Sequence, residues 1–66
     1  MTKIVNTNET AHEVEILTSK YANLQKWANN CHCISIEKRS FIRYVVHFTN
    51  RDDMEFFANG AKANCY

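Results

Sequence analysis

Three groups of side chains in this sequence have the types and spacing to do chemistry. The first is Cys31-His32-Cys33, with His12, His47 and Cys65 elsewhere in the chain, because thiolates and imidazoles are the ligands zinc prefers. Structural zinc sites normally leave roughly two to four residues between paired cysteines. On a strand, alternation would also turn His32 away from both thiols, so no metal or other cofactor is expected. Cys33 and His47, if they were cross-strand neighbours, would have the parts of an activated nucleophile. Gly60 is the only glycine, no oxyanion-holding turn is evident, and an open sheet face excludes little water; no catalytic residue is expected.

The second group is Asp52, Asp53 and Glu55. Carboxylates in the first turn of a helix are accounted for by the partial positive charge there, without a magnesium site or an acid/base pair. The third group is Lys38, Arg39, Phe41 and Arg43, the one local basic and aromatic cluster. Arginine beside an exposed aromatic on a rigid turn is the composition of protein-binding hot spots, and the same residues could stack on single-stranded bases.

The elements that must position these groups follow from periodicity. Thr10 and Glu13 have capping-box spacing, and Val14, Leu17, Tyr21, Leu24 and Ala28 then recur at steps of three and four, which predicts a helix over about 11–29. Trp27, beside Leu24, is expected in or at the margin of the core. From Cys31 the period becomes two: His32, Ile34 and Ile36 alternate with Cys33, Ser35 and Glu37, which predicts a strand over about 31–38. A second strand over about 41–49 puts Ile42, Tyr44, Val46 and Phe48 on one face. An antiparallel hairpin with Ile36 opposite Tyr44 and Glu37 opposite Arg43 matches apolar faces and charge, with Arg39, Ser40 and Phe41 in the turn. Asn50 is a good N-cap for a second helix over about 51–59, with Met54, Phe57, Ala58 and Ala61 buried and Asn59-Gly60 as its stop. Residues 3–6 are expected as a short first strand.

The expected fold is therefore α+β, a single domain over 1–66 in (β)αββα order. Two helices lie on one face of a small sheet built on the hairpin, in a two-layer sandwich. If the first strand pairs parallel to the third, the unit is a shortened ferredoxin-like split βαβ fold.

Composition removes several function classes. Eight basic and seven acidic residues leave no global field toward nucleic acid or anionic lipid. No stretch approaches the roughly 20 apolar residues of a membrane-spanning helix. Residues 1–8 lack the apolar core of a secretory signal, and three cysteines in this spacing do not read as a secreted disulfide framework, so a reducing cytoplasm is expected. The open sheet face offers Cys33, Ser35, Glu37, Val45 and His47 rather than the aromatics that RNA-binding sheets present.

The segment from Tyr44 to Phe57 resembles the strand-then-helix ending of many small uncharacterised proteins of tailed bacteriophages, with Phe48, Asp53 and Phe57 carrying the likeness. It covers about a fifth of the chain. Ala58 and Asn59 stand where that pattern has a lysine and an aromatic before the glycine. The resemblance implies a non-enzymatic accessory protein that binds and blocks a host or defence protein, and it transfers no functional residue. The expected function is a protein-binding or inhibitory module using Lys38, Arg39, Phe41 and Arg43, homodimerisation through an open sheet edge included. A nucleic-acid-binding domain using the same cluster and a small thiol or metal protein are the alternatives.

Overall fold

Val14, Ile16 and Thr18 fall at every second position, while Val14 also belongs to a helical stripe with Leu17, Leu24 and Ala28, so the two periodicities coincide over this stretch. All three are β-branched and stiff at χ1, which favours the extended chain. The computed structural model describes the backbone of residues 2–64 and the side chains of residues 3–60, and there the segment is strand β2 (Glu13–Thr18). It follows β1 (Thr2–Asn8) and is followed by helix α1 (Tyr21–Asn30), β3 (Cys33–Lys38), β4 (Arg43–Phe48) and helix α2 (Arg51–Asn64). The helix expected over 11–29 thus keeps only its C-terminal half. At its supposed start, Asn8 Oδ1 instead accepts hydrogen bonds from the N–H groups of Thr10 and Ala11, each at 3.1 Å, which closes a turn between β1 and β2.

The fold is α+β in two layers: a four-stranded sheet of order β1-β2-β4-β3 with two helices packed on it. Every strand pair is antiparallel. The parallel pairing needed for a ferredoxin-like unit is not made, because the four residues between β1 and β2 suffice for a hairpin and not for a crossover.

The connectivity is that of two ββα units facing each other. Central strands β2 and β4 pair about Glu15 and Val45, thirty residues apart, and the register runs evenly to Glu13 with His47 and Leu17 with Arg43. The same offset relates Ile16 to Val46, Leu24 to Met54, Trp27 to Phe57 and Ala28 to Ala58. The sheet order reads the same from either edge under this exchange. Each helix crosses to the other unit's edge strand, α1 onto β3 and α2 onto β1. At the pseudo-twofold axis Trp27 and Phe57 stack with ring centroids 3.9 Å apart, so Trp27 is core, as expected. Gly60 serves this contact. A Cβ there would lie 3.2 Å from Trp27 Nε1, and α2 runs through Gly60 without a left-handed cap, past the stop expected at 59–60.

One core joins Val14, Ile16, Leu24, Trp27, Ala28, Tyr44, Val46, Phe48, Met54 and Phe57. Each fully buried aliphatic or aromatic side chain contributes about 1.5–3 kcal/mol. The β3–β4 register differs from expectation by two residues: Ile36 pairs with Val46, Lys38 with Tyr44 and Glu37 with Val45. A slip of two keeps every side chain on its face, so the apolar pattern does not oppose it, and it leaves five residues between the paired Lys38 and Tyr44 where three were expected after Lys38. A bulge between Cys33 and Ser35 then moves Cys33 to the core side and leaves Ile34 63% exposed, the reverse of simple alternation. Asn50 caps α2 as expected: its Oδ1 accepts from the Asp53 N–H at 2.9 Å and its Nδ2 donates to Asp53 at 3.2 Å. The Ala61 side chain and Cys65, assigned roles from sequence, lie outside the described residues.

Candidate functional site

Among the described residues the thiols and imidazoles do not assemble. Cys33 pairs with Phe48 on the helix side, whereas His47 pairs with Ser35 on the open side, so these two do not meet as nucleophile and base. Burial pushes both thiols up from the ordinary range, with the charges of Asp53 and Cys33 adding to the effect at Cys31. This is opposite to the shift an activated cysteine needs. Among the described residues no group of three or more His, Cys, Asp and Glu side chains could hold a metal ion. Asp53 is engaged by Asn50, and Glu55 by Arg51 at 2.8 Å.

The open face of the sheet is a lattice of ion pairs. His47 lies between two carboxylates, reaching Glu13 through Nδ1 at 3.0 Å and Glu37 through Nε2 at 3.1 Å. Arg43 binds Glu15, and Arg39 lies 3.4 Å from Glu37. Beneath these side chains Val45 is only 5% exposed, although among the described residues no second layer covers this face. The long charged side chains exclude water from the valine with their own stems.

The structure therefore divides the basic and aromatic cluster. Arg39 and Arg43 belong to the open face, where they line a shallow polar hollow with Asn6, Asn8, Glu13, Glu15 and Val45. Lys38 turns to the helix side and lines a groove of about 310 Å³ with Tyr21, Ile36 and Tyr44. Phe41 stands alone at the turn, 87% exposed. The turn is fixed at its base, since the Arg43 carbonyl accepts from the N–H groups of Arg39 and Ser40, and the Ile42 carbonyl accepts from Thr18 N–H at 2.8 Å. An apolar side chain held outward on such a base loses little freedom when a partner covers it.

Compared with protein-family models, with curated proteins and with solved structures, the chain matches none. What distinguishes its surfaces must come from the chain itself.

The pseudo-twofold supplies that comparison. Thirty residues separate Tyr21 from Arg51 and Ala11 from Phe41, so the β1–β2 turn with the start of α2 is the counterpart of the β3–β4 turn with the start of α1. At the first corner Arg51 ties Glu9 at 3.3 Å to Glu55 at 2.8 Å, and the adjoining groove is lined by Ile4, Thr7, Glu9, Met54, Glu55, Ala58 and Asn59. The Glu55 hydrogen bond, then the charge of Glu9, holds the Arg51 guanidinium all the more firmly protonated. At the second corner no such bridge exists among the described residues. Tyr21 packs on Tyr44 with centroids 5.1 Å apart, and Lys20 caps α1 only through its backbone. Tyr21 and Tyr44 were legible only as core positions, because the role of Tyr21 shows once α1 is known to begin there.

Proposed function

We propose that this protein is a small binding module, without catalytic activity, that engages a partner protein through the β3–β4 corner. The observation that carries this reading is the asymmetry between the two corners. Where one unit places Arg51 and Ala11, the other places Tyr21 and Phe41, and the second set leaves an almost fully exposed phenylalanine on the turn that joins Lys38 to Tyr44, two residues that line an apolar groove. Exposed aromatics on a fixed turn cost folding nothing to lose, yet supply a large contact area when a partner buries them. The likeness to small accessory proteins of tailed bacteriophages makes a host or defence protein the first class of partner to try, with inhibition as the outcome.

The nucleic-acid reading is weakened by the same geometry. Phosphate tracking needs several unengaged cations, and both arginines of the cluster have carboxylates within ion-pair distance. The test is affinity capture from the cell of origin with wild type and with Phe41→Ala plus Lys38→Ala, two exposed positions whose loss leaves the fold intact. Specific partners are expected on the wild type and absent from the variant. A partner retained equally by both would remove this corner from consideration.

A further inference from the structure

We propose that the groove at the β3–β4 corner takes a segment of the partner in which an apolar side chain is flanked by carboxylates. This rests on the reading of that corner as the binding surface and adds the chemistry of what it accepts. Tyr21, Ile36 and Tyr44 give the groove apolar walls, and its volume of about 310 Å³ suits one large side chain. Lys38 stands in its wall and Lys20 immediately precedes Tyr21; both are exposed, and neither has a carboxylate partner among the described residues. The counterpart groove has Glu9 and Glu55 in its lining instead, so cationic character belongs to this corner and not to the repeated plan. An acidic segment is attracted to two unengaged ammonium groups, and a basic one is repelled. Two lysines are too few to track a nucleic-acid backbone. Exposed Phe56, on the acidic α2 surface with Asp52 and Glu55, shows that a second copy carries similar chemistry, which makes self-association an outcome to be read.

The experiment titrates the full chain, isotope-labelled for amide spectra, with three synthetic peptides sharing a Leu-Phe centre and flanked by aspartate and glutamate, by serine, or by lysine. The acidic peptide should bind about tenfold tighter than the serine peptide, with the lysine peptide weakest. The amides of Tyr21, Ile36, Lys38 and Tyr44 should shift while those of Glu15, Val45 and His47 stay. Lys20→Glu plus Lys38→Glu should invert the order of the peptides, and added salt should shrink the preference. Equal affinity for acidic and serine peptides at the groove overturns the charge rule while leaving the corner as a binding surface. Peptide shifts confined to the open face, or no peptide binding, overturn the proposal, and capture by Phe41 then decides the wider reading separately. A short oligothymidylate that shifts the groove amides more strongly than the acidic peptide overturns it in favour of nucleic acid. Concentration-dependent sedimentation abolished by Phe56→Ala overturns it in favour of a second copy.

Discussion

Two corners of this molecule stand at equivalent places in the two ββα units and end in opposite surfaces. At the start of α2, Arg51 gathers Glu9 and Glu55, and the adjoining turn carries nothing larger than Ala11 and the partly buried His12. At the start of α1 the equivalent place is taken by Tyr21, the adjoining turn lifts Phe41 into solvent, and Lys20 and Lys38 have no carboxylate partner among the described residues. The contrast separates demands of folding from demands of function. Whatever both units keep, such as Leu24 with Met54 and Trp27 with Phe57, is explained by the core they share; whatever only one keeps is explained by what that corner touches. The same logic dismisses the open sheet face, where charge looks like a binding surface and is instead a set of ion pairs covering Val45.

The comparison is sharpened most strongly in the core. Trp27→Ala and Phe57→Ala should each cost about 3–5 kcal/mol, because each removes one ring of a stacked, buried pair. Similar losses in urea denaturation would support the equivalence of the two units, and a large difference would break it. Next, Tyr21→Arg installs the counterpart residue at the open corner. Partner capture should fall about tenfold or more, while stability stays within about 1 kcal/mol, since Tyr21 is partly exposed. Arg51→Ala, the reverse control, should leave capture unchanged and produce only a small shift of the melting temperature that added salt erases.

Much of this plan was legible in the sequence, and the parts that were not share one cause. Strands β3 and β4 and the Asn50 cap follow from alternation and local hydrogen bonding, which act over a few residues. Strand β2 was hidden because Val14 and Leu17 satisfy the helical period as Val14, Ile16 and Thr18 satisfy the strand period, and the choice is made by pairing with β4, far away in the chain. Once β2 was missed, the partner of Arg43 could not be foreseen: it is Glu15, on that strand. The hairpin register slipped by two for a related reason, since even slips leave the apolar faces aligned. Lys38 and Phe41 were recognisable at the corner from local composition, whereas the groove beside them needed Tyr21 and Tyr44 from different elements.

The smallest expected effect concerns the thiols. Folding raises the pKa of Cys31 and Cys33, chiefly by burial, so the folded state favours the protonated form. Their contribution to stability is complete below the ordinary thiol range and is lost as pH rises through that range toward the folded values. The urea midpoint should therefore bend downward at alkaline pH, and the bend should be reduced in Cys31→Ala whatever that variant's stability at neutral pH. Thiol labelling at neutral pH should be slower in the folded than in the unfolded chain; faster labelling would reopen the reading of an activated cysteine.

The non-equivalence of the two corners is tested most directly by placing a photo-crosslinking amino acid at position 41 in one variant and at position 11 in another, then irradiating each in its cell of origin. Covalent adducts to one protein partner from position 41, with none from position 11, are the expected result. Adducts from position 11 alone, or equally from both, would contradict it.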